Sequence, residues 1–144
     1  MPVTVKNISL WRKEVQSKPG ILSQTIEPLA RAGADLHVVM AYRYPGDETK
    51  AAIELYAITG KKSVAAAEQA GLTASTIPTL LVEGDNKPGL GHALAQAIAE
   101  AGIDLNFLIA QVIGRKYSAV IGFANETDAQ KAKAIIKKAV SKKK

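Results

Sequence analysis

Two short stretches of this chain place chemistry at the start of a helix. "SKPGIL" occupies residues 17–22 and "NKPGLG" residues 86–91, each after an apolar run and before a helix-like pattern. Pro19 and Pro88 fix one backbone angle, and Gly20 and Gly89 let the chain turn sharply. The first turn of a helix leaves N–H groups unpaired and carries partial positive charge. A carboxylate is favoured at such a point. Further along each copy an acid recurs, Asp35 in "AGADL" and Asp104 in "AGIDL". Other chemistry is poorly supported. There is no nucleophile with a base, no metal-ligand spacing and no pair of carboxylates with an obvious role. The glycines of "PGLGHALA" fit neither the GxGxxG nor the GxxxxGK(S/T) phosphate-loop spacing. Cysteine is absent, which removes disulfides, thiolate metal sites and cysteine nucleophiles. The expectation is a protein that is not an enzyme and uses no cofactor or metal.

The elements around the two turns repeat. Residues 18–36, "KPGILSQTIEPLARAGADL", match residues 87–105, "KPGLGHALAQAIAEAGIDL", at eight of nineteen positions without a gap. With a three-residue length difference, "TKAAIELYAITGKKSVAAA" from Thr49 then corresponds to "RKYSAVIGFANETDAQKAK" from Arg115. Such self-similarity is a duplication, with units expected at 1–72 and 73–144. Each unit begins with a strand, Val3 to Glu14 or Thr76 to Glu83, rich in residues that favour strands. After the Pro-Gly turn comes a helix. Leu22, Ile26 and Leu29 form one stripe; Leu90, Leu94, Ala97, Ile98 and Ala101 form the other. Pro28 should bend the first of these helices, and Gly33 and Gly102 should end them as left-handed caps. A second strand follows. Leu36, Val38, Met40, Tyr42 and Tyr44 point one way in the first unit, and Leu105, Phe107, Ile109 and Ile113 in the second. A third strand, Ala51 to Thr59 or Tyr117 to Ala124, leads to a closing helix, Lys61 to Ala70 or Thr127 to about Val140. Thr127 is the expected cap of the last helix.

The order βαββα makes an α+β fold: a duplicated ferredoxin-like unit, with an antiparallel sheet and helices on one face. A complete ferredoxin-like unit has one more strand. The simplest resolution is that the first strands of the two units are adjacent or shared, lying antiparallel in one six-stranded sheet ordered 2-3-1-1'-3'-2'. No interior edge would then remain unpaired.

A strand, then Asp-x-Pro-Gly-x-Leu or a variant, a helix ending in Ala-Gly-Ile-Asn or Ala-Gly-Ile-Asp, then a strand is the pattern of ACT domains. The chain resembles a free-standing tandem ACT protein, with "SKPGIL…ARAGADL" and "NKPGLG…AEAGIDL" as its two signatures. The resemblance covers nearly the whole chain and implies a regulatory module that binds an amino acid and has no catalysis of its own. It assigns the ligand carboxylate to the helix start and its ammonium group to Asp35 or Asp104. Ser17 and Asn86 stand where many members have Asp. Gly20 and Gly89 supply backbone contacts, followed by Ile21 and Leu90; Asp35 with Leu36 and Asp104 with Leu105 complete the sites. Lys87 belongs to the better-matched second turn. Gly91 replaces a larger apolar residue there, opening space for a side chain or for helix–strand packing. The alternative function is an assembly module of the same fold that mediates dimerisation or partner binding without a ligand.

The net charge of +6 invites a nucleic-acid reading. Most of the surplus sits in Lys131, Lys133, Lys137, Lys138 and the terminal Lys142 to Lys144, with no aromatic residue among them for base stacking. Nucleic-acid binding is therefore not expected. No apolar run approaches the ~20 residues of a membrane helix, and the opening "MPVTVKNISLW" is no signal peptide. The expected setting is cytoplasmic, with no membrane partner. The sheet face away from the helices is expected to carry Val39, Ala41, Tyr56, Ile58, Leu108, Ala110, Val112 and Val120. So apolar a face predicts a homodimer, and a regulated enzyme is a candidate partner. Trp11 is expected on the same outer face.

Overall fold

The structure, a computed structural model, describes residues 3–141. The lysine tail lies outside that range. Eight strands and four helices follow in order: β1 (Val3–Ile8), β2 (Trp11–Gln16), α1 (Ile21–Arg31), β3 (Val38–Tyr44), β4 (Asp47–Tyr56), α2 (Lys61–Gln69), β5 (Thr73–Ala74), β6 (Thr79–Asp85), α3 (Leu90–Glu100), β7 (Leu105–Ile113), β8 (Lys116–Phe123) and α4 (Glu126–Ser141). They form two antiparallel four-stranded sheets, ordered β3-β4-β2-β5 and β1-β6-β8-β7. The α+β class and the duplicated ferredoxin-like unit are as expected. The single six-stranded sheet is not.

The missing strands come from two places. The expected first strand, Val3 to Glu14, is broken at Ser9 and Leu10. Its amino-terminal half, β1, runs antiparallel to β6, with Val5 opposite Val82. The first strands of the two repeats are therefore adjacent, as far as Ile8. The carboxyl-terminal half, β2, pairs with β4 and with the two-residue β5, which fills the fourth place in the other sheet. The chain accordingly divides into a continuous unit, Ser9–Thr76, and a split unit made of the segment ending at Ile8 and the segment starting at Ile77. This replaces a division between residues 72 and 73. The break is hidden in the sequence because the alternation reads through it. Val3 and Val5 enter one core, and Trp11 and Val15 enter the other without a change of parity. Trp11 thus packs on the helix-covered side, not on the outer face.

In the continuous unit, α1 and α2 cover one face of the sheet over Val15, Leu29, Ile53, Leu55 and Leu72. Leu29 is the fully buried member of the α1 stripe, while Leu22 and Ile26 are half-buried against the same cluster. In the split unit, α3 and α4 cover Leu80, Val82, Ile121 and Phe123 with Leu94, Ile98 and Ile136. Each fully buried side chain of this size stabilises by ~1.5–3 kcal/mol. Both first helices stop as their glycines require. In α1 the N–H of Gly33 donates to Ala30 and that of Ala34 to Leu29, at 3.1 and 3.0 Å. In α3 Gly102 and Ile103 repeat the pattern on Ala99 and Ile98 at 3.0 and 3.2 Å. Helix α4 is capped by Asn125, whose Oδ1 accepts the N–H of Asp128 at 2.8 Å. Thr127, the expected cap, lies inside the first turn.

Two face assignments are overturned, one on β3 and one on β7, the latter by a register shift. Leu105 lies opposite Phe123, yet Phe107 lies opposite Gly122, so the two point to different faces. Leu108 and Ala110 then share the helix-covered face with Ile121 and Ala119, and Val39 and Ala41 do so with Leu55 and Ile53. Ile58 belongs to a core. Of the exposed large apolar residues on β3 and β7, Val39, Leu108 and Val112 lie on the helix-covered side, and Tyr42, Ile109 and Ile113 lie on the helix-free side. Both are edge strands, hydrogen-bonded on one side only.

Candidate functional site

The two Pro-Gly segments adopt the same turn. In the continuous unit, the N–H of Ile21 donates to the carbonyl of Lys18 at 3.2 Å, with Gly20 at φ 84° and ψ −4°. In the split unit, Leu90 donates to Lys87 at 3.1 Å, with Gly89 at φ 88° and ψ −2°. These are type II turns, which take Pro second and need positive φ third. Each is also pinned at or just before the strand that follows the hairpin turn of its unit, β4 or β8. Ser17 N–H donates to Thr49 at 2.9 Å, and Asn86 N–H donates to Arg115 at 2.8 Å.

The helix starts are open. The first intrahelical bonds run from Gln24 to Gly20 and from Ala93 to Gly89, both at 2.9 Å. The N–H groups of Leu22 and Ser23, and of Gly91 and His92, precede them and have no acceptor among the described residues. Neither helix receives a side-chain cap, and neither has an acid in its first turn. The positive end of each helix is thus left without a compensating charge. His92 is exposed beside it.

The other residues singled out in the sequence divide by role. Leu90 is buried in the split-unit core, and Ile21, Leu36 and Leu105 pack against the cores of their units. Asn86 and Lys87 are exposed and Ser17 is half-buried. Asp35 meets the ring Nε2 of His37 at 3.2 Å and is otherwise in solvent. Asp104 accepts the N–H of Leu105 through Oδ1 at 2.9 Å. Among the described residues, neither carboxylate hydrogen-bonds to the turn of its own unit. Asp85, just before Asn86, pairs with Lys116 at 2.5 Å, and that hydrogen bond and charge hold its carboxyl below the usual range.

One residue at the second turn was not found from the sequence. A Cβ added to Gly91 would lie 3.5 Å from the hydroxyl of Tyr117, at the start of β8. Tyr117 is 5% exposed, and its hydroxyl has no hydrogen-bond partner among the described residues. Burial raises its pKa above the ordinary value of a tyrosine. In the repeat alignment Gly91 corresponds to Leu22, and Tyr117 to Ala51. The large side chain sits on the helix in one unit and on the strand in the other.

A second polar group lies on the helix-free face of the continuous unit. Glu54, 1% exposed, accepts the hydroxyl of Tyr42 at 2.6 Å and lies 3.7 Å from Arg12 Nε. Arg12 also donates to Tyr44 at 2.6 Å, and Tyr44 donates to Glu14. Burial, then the bond to Glu54, raises the pKa of Tyr42. In the split unit, an open groove of about 330 Å³ runs between α3 and α4, lined by Ala97, Glu100, Ala101, Ile135, Lys138 and Ala139. It includes no residue of the turn. No group of three or more His, Cys, Asp or Glu suited to a metal occurs among the described residues. No described helix is long and apolar enough to cross a membrane.

No protein-family model matches the sequence. No curated protein matches it either. Solved structures do match the fold. A Bacteroides thetaiotaomicron protein superposes with a TM-score of 0.74 at 15% identity, over 93% of this chain and 89% of that one. The ligand-free regulatory subunit of aspartate kinase from Thermus thermophilus gives 0.63 at 16% identity, over 97% of each chain. The corresponding subunit from Thermus flavus gives 0.62 at 16%, over 96% and 97%. At these identities the likeness is one of fold. The resemblance to a tandem pair of ACT domains holds at that level.

Proposed function

We propose that this chain is a regulatory protein that binds a small amino acid at the Pro-Gly turns and catalyses nothing itself. The observation that carries this reading is the pair of open helix starts. The same type II turn delivers each helix with free N–H groups, no cap and no acid in its first turn. That arrangement favours a carboxylate. Asp104 follows each criterion for the ammonium partner except contact: it is exposed, and Oδ2 remains available beside the Leu105 bond. Asp35 has the same place in the continuous unit, with His37 as a competitor. The similar folds named as regulatory subunits of aspartate kinase support a regulated enzyme as partner. A thermal-shift screen of the proteinogenic amino acids tests the reading. A ligand at a hundred times its Kd adds ~2.7 kcal/mol and raises Tm. Asp104→Ala should weaken whichever amino acid shifts Tm by about tenfold. Absence of any shift would favour an assembly module without ligand.

One observation favours that second reading in part. Strand β7 is nine residues long, uncharged from Leu105 to Ile113, and exposes Leu108, Ile109, Val112 and Ile113 on an unpaired edge. Such an edge is a template for pairing with another chain. A homodimer formed through β7 satisfies it. Sedimentation equilibrium should show a dimer that Ile109→Lys converts to monomer; a monomeric parent at high concentration would remove this reading.

A further inference from the structure

We propose that the hydroxyl of Tyr117 completes a carboxylate-binding site with the N–H groups of Gly91 and His92, and that the split unit alone carries it. This rests on the reading of the Pro-Gly turn as a ligand site and names the group that makes one copy competent. Two independent observations meet at the start of α3. The helix end is open, with two N–H groups beyond the first intrahelical bond and no cap. Beside it, a buried tyrosine hydroxyl has no partner among the described residues, 3.5 Å from the point where a Cβ on Gly91 would stand.

An unpartnered buried hydroxyl loses its hydration with nothing in return, and most buried polar groups avoid that cost. A phenylalanine would fill the same space without it. The hydroxyl therefore needs an acceptor that the described residues do not supply. The neighbouring helix start needs an acceptor too, because N–H groups only donate. A carboxylate has two oxygens, each with lone pairs for more than one donor. One anion can satisfy the helix end and the hydroxyl together. Burial raises the pKa of Tyr117, so the group is a neutral donor at physiological pH.

The other copy has the open helix end but lacks the glycine and the hydroxyl. Leu22 stands in place of Gly91, packed on the continuous core, and Ala51 stands in place of Tyr117. The continuous unit keeps the turn without the hydroxyl and with a bulky side chain at the second helical position. Gly91 is required in the split unit because a larger residue would press on Tyr117, while alanine only reaches ordinary contact.

The test follows the backbone amides of the full chain by NMR, with sodium acetate and then the proteinogenic amino acids as probes. Tyr117→Phe keeps the ring and removes the hydroxyl; Gly91→Leu copies the other unit. Without ligand, Tyr117→Phe should melt no lower than the parent. Gly91 and His92 amides should move on titration, about tenfold more weakly in Tyr117→Phe and not at all in Gly91→Leu, while Leu22 and Ser23 stay still. If an amino acid moves these amides equally in the parent and Tyr117→Phe, the hydroxyl role falls and the amino-acid reading stands. If acetate moves them and no amino acid does, the carboxylate site stands and the amino-acid reading falls. If an amino acid raises Tm without moving Gly91 or His92, this site is overturned and the ligand lies elsewhere. If nothing moves them and nothing raises Tm, both are overturned.

Discussion

The continuous and split units share a backbone plan yet place bulk on opposite partners, and a charged pair of one is apolar in the other. At the helix start, Leu22 and Ala51 in one unit stand against Gly91 and Tyr117 in the other. Across the second and third strands, Val38 lies opposite Tyr56, whereas Phe107 lies opposite Gly122. Across the first and third strands, Arg12 opposite Glu54 becomes Leu81 opposite Val120. The first two exchanges approximately conserve volume while changing which element supplies it, and the third replaces a charged pair by an apolar one. Cores tolerate such swaps when total volume is kept. The consequence for function is that matching turns do not make matching sites. Only the split unit gains a buried hydroxyl at its turn, and only the continuous unit gains a buried carboxylate on its helix-free face.

The polar exchange should give the largest effect. Arg12→Leu leaves Glu54 buried without its cation and should cost about 3 kcal/mol, lowered if the half-open side of Arg12 lets water in. Adding Glu54→Val, which copies the split unit, should restore most of that loss, because a well-packed apolar pair matches or exceeds a buried ion pair. Urea unfolding of both variants, followed by amide exchange in β2 and β4, separates the outcomes. A double variant no better than the single one would show that Tyr42 and Tyr44 depend on the charges. The comparison would then be one of networks rather than pairs.

The size exchange comes next. A Cβ on Gly122 would lie 2.2 Å from Phe107 Cε2, so Gly122→Ala must displace the ring. The expected cost is about 2 kcal/mol, as for overpacking elsewhere. In a Phe107→Val background, which copies Val38, the same change should cost far less, since neighbouring residues couple. Equal costs in the two backgrounds would mean that strand twist, and not ring contact, holds glycine there.

What could be read from the chain follows the same division. The repeat, the turns and the helix stripes were legible because Pro, Gly and period-3.6 leucines act locally. The Schellman ends at Gly33 and Gly102 were legible for that reason too. The split of the first strand was not, since Val3, Val5, Trp11 and Val15 keep one parity across the break. Neither was β5, whose two residues carry no pattern. The register shift between Leu105 and Phe107 misled the face assignment, because a bulge reverses alternation without marking the sequence. Of the site, the turn glycines and Asp104 were visible. Tyr117 was not, because its meaning depends on Gly91 lying opposite it. The signal was available in the alignment of the two copies, where a small residue on the helix and a large one on the strand replace the reverse.

The smallest effect concerns ionisation at alkaline pH. Tyr117 has its pKa raised by burial, and Tyr42 by burial and then by its bond to Glu54. An unfolded tyrosine ionises near pH 10. Above that value the unfolded chain has released protons that the folded one still holds, so stability falls as pH rises towards the folded pKa. Each tyrosine therefore contributes stability that is complete below about pH 10 and lost above it. Tyr117→Phe should flatten this alkaline fall for amides of β6 and β8 while leaving it unchanged for β3 and β4, where Tyr42 remains. The same substitution has opposite consequences in the two experiments, removing a ligand contact at neutral pH and an alkaline liability. A split unit whose amides lose protection as steeply in Tyr117→Phe as in the parent would show that its hydroxyl is hydrated, with an ordinary tyrosine pKa, in the free protein. The asymmetry between the two turns would then rest on Leu22 alone.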